Sequence, residues 1–343
     1  MPRPLDLGTY RATQTMARLI LPILLILLLA TATLSLLTGS SSISVWAGLW
    51  GWLTGKTSAA AMVIGEVRLP RTLLSLAVGA ALGLSGAALQ GLLRNPLAEP
   101  SLTGASQGAA LGAAAVFYYG IFPQAGEMAP ALAGLVGAGI ALLFMLTLAG
   151  SANPGMLIMA GLAISTLAGA ALATVLNFAP NPFAMQELVF WLLGSVSERG
   201  LNHLMILLPA LLLGGGLIWQ QRTLLLALSL GEPVAKSMGL DFARGSRWIV
   251  LGAAILVGAS VSIAGNIGFV GLLIPHLLRP FVQNRPDRLL IPAALAGAIL
   301  VCLADIVVRL LPPGREIKLG VLTSLLGAPL FIWLLWKARR QWI

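Results

Sequence analysis

Residues Leu89–Gly112 read LQGLLRNPLAEPSLTGASQGAALG, in which a polar island, Arg94-Asn95-Pro96-Leu97-Ala98-Glu99-Pro100, separates two apolar, glycine-rich runs. Proline lacks a backbone donor, cannot continue a helix, and drives the residue before it towards extended geometry. Two prolines four apart therefore predict a rigid break, with Asn95 and Glu99 in the two pre-proline positions. Beyond it Gly104, Gly108 and Gly112 recur every four residues, a spacing that lets a neighbouring helix approach closely. A stiff polar turn between two closely packed apolar helices suits a moving or gating part better than a plain connector.

The rest of the chain sets the solvent in which this turn works. Its 343 residues are 58% hydrophobic and 9% charged, with a mean hydropathy of +0.94. A soluble domain carries roughly 25% charged residues, so this much apolar surface calls for a bilayer. Lipid offers no hydrogen bonds to the backbone, which leaves helices or a closed barrel. The long Leu/Ala/Gly runs lack the alternation of a barrel strand. The sequence therefore reads as an all-α polytopic membrane protein. At about 20 residues a span, ten segments qualify: 18–38, 71–93, a short 101–119, 128–150, 156–178, 201–220, 246–265, a short 268–282, 289–311 and 319–336. A non-spanning helix is expected near Phe183–Gly194. The third and eighth spans are both short, glycine-rich and proline-interrupted, the pattern of an inverted repeat.

Arg3, Arg11 and Arg18 precede the apolar run Leu19–Leu37, and Ala30-Thr31-Ala32 mimics a cleavage site. The run is longer than a signal-peptide core, which points to a retained first span after a cytoplasmic tail, 1–17, with 18–343 forming one membrane domain. With the N-terminus inside, 14 of the 21 Lys and Arg fall on the cytoplasmic side and 7 on the other, so both termini are expected in the cytoplasm. The net charge of +10 is scattered among the spans, which argues against a nucleic-acid partner. Cys302 is the sole cysteine and His203 and His276 the sole histidines, too few for a disulfide framework or a metal site. Gly55-Lys56-Thr57 resembles the end of a phosphate loop, but Trp50 stands where that loop needs glycine, so this chain is not expected to bind ATP.

Three further features carry chemistry. In the loop 221–247, Gly231, Glu232 and Pro233 open a short helix that Gly239 closes, with Ala235 and Met238 placed on one face. Such a helix suits docking into a partner's groove, or rests on lipid headgroups. On the outer side, Arg68, Arg71 and Arg309 stand where the topology rule disfavours them; a guanidinium fork there captures a partner's carboxylates or snorkels to lipid phosphate. Asp305 lies four residues before Arg309 and can pair with it, while His276 suits a structural hydrogen bond between helices or a proton relay. A relay through Asp305 and His276 is the ion-coupled alternative. An intramembrane enzyme has no nucleophile-base pair in its support.

Three long stretches give the chain a family resemblance. RLPRTLLSLAVGAALGLSGAALQGLLRNPLAEPSLTGASQGAALG, GNIGFVGLLIPHLLRPF at Gly265–Phe281 and EIKLGVLTSLLGAPLFIWLL at Glu316–Leu335 are similar to the signatures of the FecCD-type permeases, importers of iron-siderophores, haem or cobalamin. The resemblance implies the type II ABC importer permease fold, with ten helices per subunit in a homodimer around a path on the two-fold axis. Two cytoplasmic ABC ATPase subunits, which carry the ATP and magnesium, and a periplasmic or lipid-anchored binding protein complete the implied machine in the bacterial inner membrane. No cofactor falls to this chain. The inner gate matches Asn95 and Leu97, with a second element near Asn153, Pro154 and Gly155. ATPase coupling falls on Gly231–Arg244 with Glu232, Ala235 and Met238 as contacts and Gly239 closing the helix. Docking of the binding protein falls on Arg68, Arg71 and Arg309. A ferric siderophore is the expected cargo, with haem and cobalamin as alternatives.

Overall fold

A computed structural model describes residues 7–39, 43–150, 154–311 and 317–339, and among these every regular element is helical. The chain begins with α1 (Leu7–Leu37), α2 (Val45–Leu53), α3 (Ala59–Met62), α4 (Leu69–Leu93) and α5 (Ala105–Tyr119). Next come α6 (Ala129–Ala149), α7 (Pro154–Asn177), α8 (Pro182–Leu192), α9 (Leu204–Gln220) and α10 (Arg222–Ser229). The last five are α11 (Glu232–Ser237), α12 (Phe242–Ala264), α13 (Val270–Leu278), α14 (Pro286–Leu310) and α15 (Leu319–Arg339).

Seven segments are long and apolar enough to cross a bilayer: Leu19–Leu37, Ala59–Leu93, Pro123–Ala149, Gly155–Asn177, Leu201–Gln220, Phe242–Ala264 and Pro286–Leu310. The other three expected spans coincide with α5, with α13 and its 3-10 extension to Val282, and with α15, whose apolar part is Leu319–Trp333. Each expected span thus falls on one helix, but the number of crossings depends on these three shorter ones. The expected non-spanning helix is α8, opened by Asn181, whose side chain accepts from the Ala184 N–H at 2.8 Å. A π-turn over Val63–Arg68 joins α3 to α4 without a break.

Helices α4, α12 and α14 make the buried centre, and small residues determine how they cross. A Cβ placed on Gly79 would lie 2.2 Å from the Gly297 carbonyl oxygen, and one on Gly83 would lie 2.1 Å from that of Ala293. Backbone therefore rests on backbone, and the two helices run antiparallel, since rising numbers on α4 meet falling numbers on α14. Apolar burial gives little preference between helices in lipid, so this close van der Waals approach supplies the adhesion. Gly108 and Gly112 do the same for α5 against α6, as the ladder predicts.

The repeat inferred from the short spans has a structural counterpart. Exchanging α4–α7 with α12–α15 maps the α4–α14 contact onto α12–α6, α4–α13 onto α12–α5, and α5–α7 onto α13–α15, all of which occur. Both short helices also follow a residue of positive φ, Gly104 at 75° before α5 and Phe269 at 66° before α13.

Candidate functional site

The polar island ends α4 in the geometry its prolines require. Arg94 takes the left-handed conformation, with φ at 50°, and closes the helix through its N–H to the Gly91 carbonyl. Asn95 then accepts the Leu97 N–H on its side-chain oxygen at 2.9 Å, an Asx turn that stiffens the loop. Asn95 is exposed and Leu97 is 43% exposed, so both reach outwards from the turn, while Ala98 and Pro100 are buried. Glu99 is extended, as a pre-proline residue must be, at φ −112° and ψ 141°. Burial pushes its carboxyl above the ordinary value, while Ser101 and the Phe269 N–H draw it partly back.

After Glu99 the chain packs into the bundle. A Cβ on Gly271 of α13 would fall 2.6 Å from the Pro100 Cγ, and one on Gly161 of α7 would fall 2.2 Å from the Leu102 carbonyl oxygen. The turn is thus wedged between α13 and α7. Of the second gate element, Asn153 lies outside the described residues, Pro154 opens α7 and Gly155 is exposed. The two elements meet one turn further in, where Leu102 and Thr103 share a small void with Leu157 and Ile158.

The residue that ties this turn to the bundle has no counterpart among the expected sites. Gln90, one turn before Arg94, is fully buried. Its amide donates to the carbonyls of Leu272 at 3.0 Å and Gly271 at 3.4 Å, and its oxygen accepts from Arg279 at 3.1 Å. Pro275 explains one of the two carbonyls: without an N–H it leaves that of Gly271, four residues back, with no donor inside the helix. The hydrogen bond between helices expected of His276 is made by Gln90 instead. A buried Gln in an apolar helix, opposite a helix broken by proline, is the signal that could have found it.

In the loop 221–247, Gly231 has φ at 115° and Gly239 φ at 72°, so both bracketing glycines are required by the backbone. Glu232 pairs with Lys236 at 3.0 Å on an exposed face. The expected face needs one correction: Ala235 is fully buried, so it cannot touch a partner along with the exposed Met238. The outward apolar set is Leu230, Val234 and Met238, at intervals of four. Ala235 faces inward because α11 packs on α10, whose Leu224, Leu225 and Leu228 are buried against the bundle. Leu225 reaches Gly91, in the last turn of α4 before Asn95 and Leu97, where a Cβ would meet its Cδ2 at 3.2 Å.

The outer arginines turn inward. Arg68 is buried and donates to the carbonyls of Leu36 and Leu37 at 3.0 and 3.3 Å, capping the end of α1. Arg309 donates to the Ser35 carbonyl at 3.0 Å and to the Ser35 hydroxyl at 3.1 Å, and pairs with Asp305 as its spacing predicts. Arg71 reaches the other side of the same carboxylate, Nε to Oδ1 at 2.9 Å and Nη2 to Oδ1 at 2.8 Å. Of the three, Arg71 keeps the most solvent at its head, 19% against 7% for Arg309. Sequence spacing could not show the carbonyl ends of α1 that claim Arg68 and Arg309. Among the described residues no three His, Cys, Asp or Glu side chains converge as a metal site.

Residues 25–337 match the FecCD transport family. The chain is 38% identical over 332 residues to the hemin transport system permease protein HmuU of Yersinia pestis, covering 94% of this chain and 97% of that one. It is 37% identical over 342 residues to the vitamin B12 import system permease protein BtuC of Salmonella paratyphi A, covering 94% and 96%. A solved structure described as an inward-facing conformation of a metal-chelate type ABC transporter superposes with a TM-score of 0.78 at 33% identity, over 93% of this chain and 99% of that one.

Proposed function

Because the chain belongs to the FecCD transport family, and so is a multi-pass permease of the ABC importer type, we propose that it carries a metal chelate, a ferric siderophore first, across the bacterial inner membrane on energy supplied by partner ATPases. One contact carries this reading. The loop with the exposed Leu230, Val234 and Met238 is joined through α10, by Leu225 on Gly91, to the turn of α4 that ends in Asn95 and Leu97. A displacement applied to α11 from outside the bundle therefore reaches the gate through packed side chains.

In this mechanism the chain performs no chemistry. Two cytoplasmic ATPases grip α11 and close on ATP, and α10 transmits the movement to the end of α4. Two copies of the chain enclose the path, and the exposed face of α7, with Gly155, Ala163, Thr166 and Ala170, suits its wall. A loaded binding protein docks at the arginine end of α4, where Arg71 is the first to be met. Each partner shifts the equilibrium only by its differential affinity for the permease states.

Haem and cobalamin are the alternative cargoes, and the relatives named for hemin and vitamin B12 support keeping both. The test is reconstitution with the cognate ATPase and binding protein in proteoliposomes, supplied in turn with ferric siderophore, hemin and cobalamin. Uptake that requires ATP and favours the siderophore is expected. ATP-dependent uptake of another chelate would replace the cargo alone. Uptake driven by a proton gradient without ATP would overturn the mechanism, and Asp305, held between two arginines, is poorly placed to serve it.

A further inference from the structure

Helix α2, VWAGLWGWL, belongs to none of the sites above. It holds three of the chain's nine tryptophans and no ionisable residue. Its inner face is glycine: a Cβ on Gly48 would lie 2.7 Å from the Ala60 carbonyl oxygen, and Gly51 is buried against Ala61. Its other face carries Trp46, Trp50 and Leu53, at the i, i+4 and i+7 positions, which are 78%, 58% and 69% exposed. Between them Trp52 lies against Gly65 in the π-turn, where a Cβ would be 2.2 Å from the indole. The helix therefore braces the segment that ends in Arg68.

Leaving three large apolar side chains in water would forfeit about 1.5–3 kcal/mol each. Connectivity determines what meets them. Helix α2 starts eight residues after the apolar span Leu19–Leu37 ends, and the span Ala59–Leu93 begins six residues after α2. Both neighbours hold it at a membrane boundary. Indole favours that depth, since its ring is apolar and its N–H still finds water or headgroup oxygen. Trp219 in the last turn of α9 occupies the same kind of position on a spanning helix.

We propose that α2 lies in the bilayer interface at the C-terminal end of α1, with Trp46, Trp50 and Leu53 seated among headgroups and upper acyl chains. It acts there as a float that sets the height of the arginine-bearing segment. The test uses the full chain in lipid nanodiscs with single nitroxide labels at residues 46, 50, 53 and 56, and the unsubstituted chain, whose Cys302 is buried, as labelling control. Oxygen should dominate over a water-soluble nickel chelate at 46, 50 and 53, giving a positive depth parameter, and the order should reverse at Lys56. Nickel-dominated labels at all three of these positions would overturn the proposal in favour of water or a soluble partner. Shielding from both probes would overturn it in favour of a second copy. Intrinsic fluorescence guards against label artefacts: the emission lost in a Trp46→Phe, Trp50→Phe variant should be quenched by lipid brominated near the headgroup, and its insensitivity to that lipid would also sink the idea.

Discussion

Replacing Asp305 with alanine removes one carboxylate that two guanidinia share. The side chain is 1% exposed and accepts from Arg71 Nε at 2.9 Å, Arg71 Nη2 at 2.8 Å and Arg309 Nε at 2.8 Å. Breaking a buried ion pair by deleting one partner costs about 3–5 kcal/mol, because the remaining charge stays desolvated. Arg71 can rehydrate in part, and Arg309 retains the Ser35 carbonyl at 3.0 Å, so the lower end, about 3 kcal/mol, is expected. The exposed Glu232–Lys236 pair gives the internal comparison, since surface pairs at this spacing are worth only about 0.3–0.5 kcal/mol. Denaturant unfolding of the detergent-purified protein, with Asp305→Ala and Glu232→Ala measured side by side, reads the difference. A cycle with Arg309→Met then isolates the pairwise term, since the double variant should lose less than the sum of the singles. If Asp305→Ala loses no more than Glu232→Ala, the arginine cluster is not held by this carboxylate and the argument fails.

Four other substitutions probe the turn at Arg94–Pro100, its joint through Gln90 and the loop 221–247. Gln90→Leu leaves the buried Gly271 carbonyl without its side-chain donor, at about 1–3 kcal/mol, while the half-buried Arg279 turns to water; the same unfolding assay should show the loss, and a variant as stable as the parent would refute the joint. Met238→Glu should abolish stimulation of the partner ATPase without moving the unfolding midpoint, whereas Ala235→Leu should lower the midpoint, because the first side chain is exposed and the second fully buried. Glu99 has a raised carboxyl pKa, so folding takes up a proton there: its penalty is absent below the unfolded value near 4.5 and grows as pH rises through the folded one. Stability of the parent should fall across that window, and Glu99→Gln should remove that part of the slope; an identical slope in both proteins would count against burial of the carboxyl.

Most of the fold was legible because span length, proline and glycine are local signals. The break at Arg94–Pro100, the glycine ladder of α5 and the loop helix of α8 all depend on neighbours within a few residues. What escaped depends on partners far along the chain. Arg68 and Arg309 read as outward hooks until the end of α1, some thirty and 270 residues away, supplies the carbonyls that take them. Ala235 and Met238 share a face by spacing, yet α10 covers only one of them. Gln90 carried no visible partner because its acceptors are the carbonyls of Gly271 and Leu272, some 180 residues away, the first of them freed by the N–H that Pro275 lacks. Helix α2 escaped because nine residues are too few for a span and its glycines hide the packing face.

The backbone-on-backbone crossing of α4 with α14 has a mechanical corollary. Where Gly79 and Gly83 meet Gly297 and Ala293 no side chain separates the two backbones, so this crossing has no rotamers to exchange and little slack to absorb a push, which suits α4 to move as a rod. Arg71 and Gly91 are the two ends of that rod, 20 residues or about 30 Å apart. On the function proposed above, a partner that grips the arginine end and favours one state would bias the turn at Asn95 and Leu97, and that turn would return the bias by the same free energy. On that reading, each side of the membrane would register what is bound on the other.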